Sequence, residues 1–394
     1  MNQPSRKKIQ TLLATPLLVA SSALGLAALG FAVGKFSSQT TAALFKPADR
    51  TEGQLHSASL SEEEEIAKEI ASLFQSTVRV PPIPGSKLVR RPVFAKDQSC
   101  VKATFSVNEN LPESFRVGIF KSSSPYNAIV RFANDGPFGS DQSKGARGMS
   151  IKLSGVSGDK ILEGETLAKT QDFVMQNYPI FFTKTAADFL AFTQSGLSGD
   201  PIQQKQFAAA HPETKRILDL IDAEVLSDPL DGTYWTPTPY RFGDRAMKYM
   251  VKPCAPPPPT NSKPRVGEHY LRENLMTHNA LEDSCFDFMI QLQKDEASMP
   301  LDDATVLWSL DESPFIPVAK IQIAKNQDLK STARQEACEY LSFTGWHALP
   351  EHEPLGSINR ARKIVYKTLA EFRRLHNPKM PKSEDSAVEL FNAQ

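Results

Sequence analysis

The residues best suited to do chemistry lie near the C-terminus, in the stretch WHALPEHEPLGSINRARKIVYKTLAEFRR. This pattern predicts a loop that turns at Gly356 into a helix carrying Arg362 and Tyr366. Because these two residues are four apart, a helix places the guanidinium and the phenol on one face. A nearby cation favours the phenolate, and tyrosinate is one of the few axial haem ligands in proteins. Arg362 and Tyr366 are therefore candidate haem-binding residues, with an ordinary packed surface tyrosine as the alternative.

The overall charge argues against one class of function. The chain has 394 residues with 45 basic and 45 acidic side chains, so its formal net charge is zero. A neutral chain has no long-range field that would attract nucleic acid, and no nucleic-acid partner is predicted. The length allows one large domain or two ordinary ones.

The four cysteines are Cys100, Cys254, Cys285 and Cys338. They show no CxxC spacing, so neither a zinc site nor a thioredoxin-like site is predicted. Four cysteines can form two disulfides in three ways, and the sequence does not distinguish among them. Cys285 lies in the apolar run CFDFMIQL, which favours a buried thiol at that position.

The N-terminus predicts a membrane segment. Residues 9–34 carry no charge and follow a basic cluster, and this length is enough to cross about 30 Å of hydrocarbon as a helix. The stretch is longer than the roughly 7–15 apolar residues of a signal peptide. We therefore expect residues 1–36 to be a signal anchor, with a cleaved signal peptide as the alternative. The positive flank places the remaining chain on the non-cytoplasmic side, which is periplasmic if the protein is bacterial.

Residues 37–85 are predicted to form a tether followed by an amphipathic helix. The first part is polar and rich in small residues. Ser61 and Glu64 then form a capping box before an apolar stripe that includes Ile66 and Ile70. The neighbouring glutamates are interpreted as a solvated helix start, and prolines end the segment.

Residues 86–394 are predicted to form the main domain. Alternating apolar residues begin at Cys100 and recur to about residue 323, which favours an antiparallel barrel or sandwich. Helices are predicted to interrupt the strands at 186–195, 201–222 and 268–281.

Two central segments are unusual for a plain barrel. In NAIVRFANDGPFGSDQSKGARGMSIKL, a strand bearing Arg131 runs into a glycine-rich loop and a second strand. In QDFVMQNYPIFFTKTAADFLAFTQ, Asn177 precedes Phe181, Phe182 and Phe189. An amide beside phenylalanines suits an apolar pocket with one orienting donor. The alternative is a strand end that packs on a helix, with Asn177 as a turn residue.

In their order, these pieces resemble the catalase superfamily, specifically the smaller bacterial catalase-like haem proteins. The resemblance covers about residues 91–377 and extends to CFDFMIQLQ, WSLDESPFIPVAKIQI and the C-terminal stretch quoted first. It implies an α+β fold in which an antiparallel eight-stranded β-barrel is wrapped by helices. It also implies haem b between the barrel and the Tyr366 helix, and it allows a homo-oligomer, since catalase-like proteins usually oligomerise.

The resemblance implies a role for each matching residue. Tyr366 matches the proximal iron ligand, and Arg362 matches the residue that keeps it ionised. Arg91 and Arg131 match arginines near the haem propionates, a role that suits the planar guanidinium. Asn177 matches the distal asparagine, which holds a peroxide oxygen by hydrogen bonding.

Two phenylalanines complete the implied site. Phe189 matches a ring that packs on the haem face. Catalases place the distal histidine in an Arg-x-x-His-Ala-Lys pattern, and residues 91–96 read Arg-Pro-Val-Phe-Ala-Lys, so Phe94 stands in its place. A phenyl ring cannot move a proton, and general acid–base catalysis is typically worth about 10²–10⁴ in rate. Fast hydrogen peroxide dismutation is therefore not expected.

These features predict an exported, membrane-tethered haem protein acting on a small peroxide, more readily on an organic (lipid) hydroperoxide than by dismutating hydrogen peroxide. Such an enzyme would be a peroxidase-like oxidoreductase or a hydroperoxide isomerase. The alternative is a non-enzymatic binding module with a catalase fold that has lost turnover or haem.

Other polar residues receive more modest interpretations. His347 and His352 are predicted to make hydrogen bonds between their loop and the body of the domain. Arg373 and Arg374, with Lys379 and Lys382, are predicted to form a solvated face or to partner a helix dipole, with a membrane-surface contact as a further option.

Overall fold

The computed structural model describes residues 57–80, 88–135, 140–256 and 263–394. The predicted anchor and most of the predicted tether lie outside these residues, as do the prolines that follow the amphipathic helix. The helix begins at Ser57, so the predicted start at a Ser61 capping box is wrong. Within the described residues, no helix combines the length and the apolar character needed to cross a bilayer.

As predicted, helices interrupt the series of strands. The strands are β1 Lys96–Val107, β2 Tyr126–Asn134, β3 Arg147–Ser154, β4 Thr170–Gln176, β5 Tyr234–Trp235, β6 Tyr240–Phe242, β7 Arg245–Pro253, β8 Ser284–Leu292 and β9 Ile316–Ile323. The helices are α1 Ser57–Thr77, α2 Ala186–Leu197, α3 Pro201–Ala210, α4 Pro212–Ala223, α5 Tyr270–Leu281, α6 Thr332–Tyr340, α7 Ser357–His376 and α8 Glu384–Asn392.

The sheet closes into an antiparallel barrel of eight strands. Its order runs β5-β4-β3-β2-β1-β9-β8-β7, and a β5–β7 pairing completes the ring, while β6 extends the β7 edge. The predicted α+β fold with an eight-stranded barrel is confirmed. The helix predicted over 201–222 is two helices, because Pro212 starts a new one and offers no backbone N–H to the preceding turn.

Aromatic side chains fill the barrel. The ring centroid of Phe288 lies 4.8 Å from that of Phe173 and 5.3 Å from that of Phe105, and Tyr249 lies 5.1 Å from Phe173. All four side chains are fully buried. Since large side chains occupy the interior at close-packed density, the space for a ligand lies outside the barrel wall.

Two helices pack side by side on that outer surface. Ile70 and Ala71 of α1 pack against Val365 and Leu369 of α7. Ile66, Ile70 and Phe74 on α1 recur every four residues, as do Val365 and Leu369 on α7, so each helix presents an apolar stripe to the other. An ion pair between Glu63 Oε2 and Arg360 Nε at 2.5 Å joins the two helices nearer their N-termini. The amphipathic helix is therefore part of the domain wall.

Two disulfides join distant parts of the chain. Cys100 of β1 pairs with Cys338 of α6, and Cys254 pairs with Cys285 of β8. The prediction of a buried thiol at Cys285 is wrong, because β7 and β8 are neighbours and bring Cys254 beside it. That proximity depends on strand pairing and not on local sequence.

The two disulfides are expected to differ in their contribution to stability. In the chain-entropy model a disulfide stabilises more when it closes a longer loop, with a typical value of about 2–4 kcal/mol. The sequence separations are 238 for Cys100–Cys338 and 31 for Cys254–Cys285. We predict that a Cys100→Ser, Cys338→Ser variant unfolds at a lower temperature than a Cys254→Ser, Cys285→Ser variant under non-reducing conditions. Equal or reversed melting temperatures would contradict this ranking.

Candidate functional site

A cavity of about 580 Å³ lies between the outer face of the barrel and the helices α1, α2 and α7. Its size is within the roughly 300–1,000 Å³ of small-molecule and cofactor sites. Six of the residues predicted for the site line it: Arg91, Phe94, Arg131, Phe189, Arg362 and Tyr366.

Strand alternation provides the floor of the cavity. Arg131 and Ala133 of β2 face it, opposite Ser150 and Gly148 of β3 in the register. The intervening Phe132 points the other way, into the barrel core. Successive side chains on a strand point to opposite faces, so one strand contributes both to the core and to the site.

Helix α7 provides the opposite wall. Arg362, Tyr366, Leu369 and Arg373 line the cavity at spacings of three and four, which places them on one helix face. The guanidinium of Arg362 lies 5.3 Å from the ring centroid of Phe181. It also donates to Thr238 Oγ1 at 3.1 Å and to Asn359 Oδ1 at 3.3 Å. These contacts hold Arg362 on the wall that carries Tyr366.

Phenylalanines make much of the cavity apolar. Phe181 packs at 4.6 Å from Phe182 and 5.5 Å from Phe189, measured between ring centroids. Seven phenylalanines among the described residues line the cavity: Phe74, Phe94, Phe181, Phe182, Phe189, Phe192 and Phe343. Such walls favour flat or apolar ligands.

Phe94 has a strained backbone. Its φ of 49° lies in the left-handed region, which is rare for a bulky residue. Arg131 donates from a terminal guanidinium nitrogen to the Phe94 carbonyl at 2.8 Å. A Cβ atom added to Gly148 would lie 2.7 Å from the Phe94 ring, so only glycine leaves room for it. Strain of this kind persists where surrounding contacts hold it and clusters at functional sites.

Two guanidinium groups pair with one carboxylate beside the polar end of the cavity, and a third lies close enough to act on it electrostatically. Glu339 Oε1 lies 3.3 Å from Arg91 Nε and 3.4 Å from a terminal nitrogen of Arg373. Burial opposes the ionisation of Glu339, yet Arg91, Arg131 and Arg373 lower its pKa to about 2. Burial and the neighbouring Arg91 lower the pKa values of Arg131 and Arg373 to about 9.

This guanidinium cluster of Arg91, Arg131 and Arg373 has an excess of positive charge over Glu339. Among the described residues, the buried Nε of Arg131 has no hydrogen-bond partner. Buried charges are normally paired, so the cluster suits an anionic ligand with carboxylate groups. The prediction that Arg373 belongs to a solvated face is wrong, since its side chain is only 4% exposed. Its spacing of seven from Tyr366 was the available signal, because i and i+7 share a helix face.

A second buried network lies beside this cluster. Lys152 Nζ is 2.7 Å from Asp172 Oδ1, and neither side chain is exposed. Asp172 Oδ2 is 2.7 Å from His347 Nδ1, and His347 Nε2 is 2.8 Å from Glu165 Oε2 at the cavity wall. Burial and Lys152 favour neutral His347, but the two carboxylates outweigh them and raise its pKa to about 9. His347 is therefore an imidazolium at neutral pH.

The C-terminal helices complete this network. Glu384 of α8 lies 3.5 Å from Lys152 Nζ and 2.9 Å from a terminal nitrogen of Arg374. Arg374 also lies 3.7 Å from Glu165. The loop-to-body hydrogen bond predicted for His347 is confirmed, and so is that of His352, whose Nε2 accepts from the Ile119 backbone N–H.

The protonation of His347 predicts a loss of stability in alkali. Its pKa is raised in the folded protein, so its contribution is complete below about pH 6.5 and disappears as pH rises through about 9, a change of at most about 3 kcal/mol. His352 is the matched control, because burial lowers its pKa to about 4 and it stays neutral over this range. We expect His347→Gln, but not His352→Gln, to flatten the decrease in unfolding free energy between pH 7 and pH 10. An unchanged slope in His347→Gln, measured by denaturant unfolding, would contradict this account.

Asn177 is placed differently from the other predicted residues. It follows β4, and its backbone N–H donates to the Arg147 carbonyl at 2.8 Å. Its side-chain Oδ1 accepts from the Arg147 backbone N–H at 2.7 Å. In the described part of the chain, Asn177 is the one predicted site residue that does not line the cavity; the neighbouring Gln176 does.

Comparison with solved structures identifies the fold of the chain. It is similar to a fungal catalase crystal structure, with 16% identity and a TM-score of 0.57 over 74% of this chain and 60% of the catalase. A bacterial catalase matches with 16% identity and a TM-score of 0.56 over 86% and 64%. Catalase A from Saccharomyces cerevisiae matches with 14% identity and a TM-score of 0.58 over 82% and 67%. The chain has the catalase fold.

The resemblance inferred from sequence is thus confirmed at the level of fold. No protein-family model and no curated protein sequence matches the chain. The chain spans about two thirds or less of the length of these catalases. The cavity lies on the α7 side of the catalase-fold barrel, where the sequence places Tyr366.

Proposed function

We propose that the protein binds haem b in this cavity and acts on organic hydroperoxides. The proposal is carried by one observation: Tyr366 and the guanidinium cluster line the same phenylalanine-rich cavity. Bound haem would supply a ferric iron able to cleave a peroxide O–O bond. The residues of the chain would bind the group, orient it and select the substrate.

The donor set fits haem b at both ends. Tyr366 offers a phenol oxygen, which is a known axial ligand of haem iron. The guanidinium cluster offers three cations against the single carboxylate of Glu339, so two propionates would balance its charge. Phe189 and Phe94 offer ring faces for the apolar parts of the macrocycle. The catalase fold supports this proposal, although fold alone does not establish function.

The cavity favours organic over inorganic peroxide because it offers no histidine for proton transfer. Among the described residues that line it, His347 is the only histidine, and carboxylates engage both of its ring nitrogens. Phe94 presents an apolar ring where the family resemblance implies the distal base. An apolar wall stabilises the alkyl part of a hydroperoxide through buried area.

Export is part of the proposal. Two disulfides suit an oxidising compartment, and the charge-free N-terminal stretch suits an anchor that holds the domain on the non-cytoplasmic side.

The iron ligand is tested by visible spectroscopy of protein produced with an adequate haem supply. We expect a Soret band with high-spin ferric tyrosinate features in the wild type and a changed band in Tyr366→Phe. Tyr126→Phe is the control, because its hydroxyl donates to the Ile119 carbonyl away from the cavity lining. A folded wild-type protein that stays colourless after haem addition would remove the oxidoreductase function.

The role of Phe94 is tested by restoring the missing base. We expect Phe94→His to raise hydrogen peroxide dismutation at least about tenfold at constant haem content, because a histidine can transfer the peroxide proton. Phe192→His places the same group elsewhere in the cavity and serves as the control. Oxygen evolution that is unchanged in Phe94→His, or raised equally in both variants, would show that the lack of a base at position 94 does not limit the rate of dismutation.

A non-enzymatic binding module is the second candidate function. The absent base at Phe94 favours it, since such a module has no need to transfer protons. It predicts a colourless protein, or a haem protein whose turnover does not exceed that of free haem with either hydrogen peroxide or a fatty-acid hydroperoxide.

A further inference from the structure

One row of residues crosses the barrel wall of the cavity. The strand register pairs Ala133 of β2 with Gly148 of β3, and Gly148 with Gln176 of β4. All three line the cavity, since directly opposed residues on neighbouring strands share a face of the sheet. The Phe94 ring occupies the space beside Gly148 that a Cβ atom would need. Ala133 and Gln176 therefore flank the position over which the Phe94 ring lies.

Strand alternation turns the amide of Gln176, and not that of Asn177, towards the cavity. Phe173 of β4 points into the barrel core, whereas the next residue, Val174, lines the cavity. Gln176 lies two residues after Val174 and so faces the same side. Asn177 comes after the strand, and its Oδ1 is occupied by the Arg147 backbone N–H. The amide available to a ligand is therefore that of Gln176.

Two hydrogen bonds fix the orientation of this amide. Gln176 Nε2 donates to the Ile180 carbonyl at 2.9 Å and to the Tyr178 carbonyl at 3.2 Å. Because both partners are carbonyl oxygens, the amide nitrogen must face them and use both of its hydrogens. The side chain is only 7% exposed, and no described residue donates a hydrogen bond to its Oε1. Gln176 therefore offers the cavity an acceptor and no donor.

A buried acceptor of this kind discriminates between ligands by their hydrogens. A ligand with an O–H can donate to Oε1, whereas a ligand without one displaces water from this oxygen and leaves it unpaired. The loss of such a bond typically lowers affinity about tenfold or more. Ser150 also lines this wall, but its hydroxyl can donate as well as accept and so does not discriminate in the same way.

We propose that Gln176 Oε1 accepts the O–H of the ligand, so that the cavity takes hydroperoxides (ROOH) in preference to dialkyl peroxides (ROOR), which have no hydrogen to donate. The alkyl part of a hydroperoxide suits the phenylalanine walls. An amide oxygen accepts a hydrogen bond without taking the proton, so Gln176 orients the ligand but does not replace the base that is absent at Phe94. The inference rests on the proposed function in identifying this O–H as that of a peroxide, whereas the preference of Oε1 for an O–H does not depend on haem.

Two isomeric ligands test this preference, because nonanol carries an O–H and methyl octyl ether does not. Their affinities for the full chain in detergent are measured by calorimetry, with partition into protein-free micelles subtracted. We expect the wild type to bind nonanol at least about tenfold more tightly than the ether. Equal affinities in the wild type would overturn the proposal without the need for any variant.

Two variants separate the acceptor from the structural role of the amide. Gln176→Met and Gln176→Glu both remove the N–H groups that bind Ile180 and Tyr178, but only the methionine also removes the oxygen acceptor. We expect Gln176→Met to bring the alcohol-to-ether affinity ratio to about one by weakening nonanol binding alone, while Gln176→Glu retains the preference. An equal loss of preference in both variants would show that the amide is merely structural.

Ser150→Ala is the matched control on the same wall and is expected to leave the affinity ratio unchanged. A loss of preference in Ser150→Ala would assign the contact to the serine and overturn the proposal. Haem content and the Soret band of the same samples test the proposed function separately. A colourless protein that prefers nonanol would remove the haem chemistry alone, and a Soret band without the preference would remove this inference alone.

Discussion

The excess of buried positive charge around Glu339 is the constraint on which the site depends. Its members come from the segment before β1, from β2, from α6 and from α7, so four parts of the chain must meet to bury it. The Cys100–Cys338 disulfide joins β1 to α6 at the residue next to Glu339. Burying several guanidiniums is costly without sufficient counter-charge. Burying these guanidinium groups therefore lowers the stability of the folded protein, and an anionic ligand in the cavity would balance their charge.

The barrel determines where this charge can lie. Aromatic rings occupy its interior, so outward-facing residues of β2, β3 and β4 carry the polar functions. The outer wall of the barrel carries Arg131 at the cavity and also the Lys152–Asp172 ion pair. Asp172 contacts His347, and His347 in turn contacts Glu165. Helices α7 and α8 cover both groups. The networks thus fix the C-terminal helices to the barrel and shape the cavity together.

Much of this arrangement could be predicted from sequence where the signal was local. Strand alternation predicted an antiparallel barrel or sandwich, and the family resemblance implied the eight-stranded barrel. The four-residue spacing predicted that Arg362 and Tyr366 share a helix face. Predictions failed where long-range contacts decide the outcome. Strand pairing brings Cys254 to Cys285. Arg373 is buried against Glu339, Leu341 and Ser342, although the basic end of the helix looks solvated in isolation. No local pattern could show that Asn177 would pair with the Arg147 backbone.

Phe94 shows how the surrounding contacts hold a strained residue in place. The backbone at this position is left-handed, and it is held by the Arg131 hydrogen bond and by the space above Gly148. An aromatic ring gains nothing from that conformation by itself, since glycine or asparagine would adopt it at lower cost. The strained backbone is held by Arg131, whose guanidinium donates to the Phe94 carbonyl and also belongs to the guanidinium cluster. The ring is consequently positioned by contacts with two residues of the cavity lining, Arg131 and Gly148.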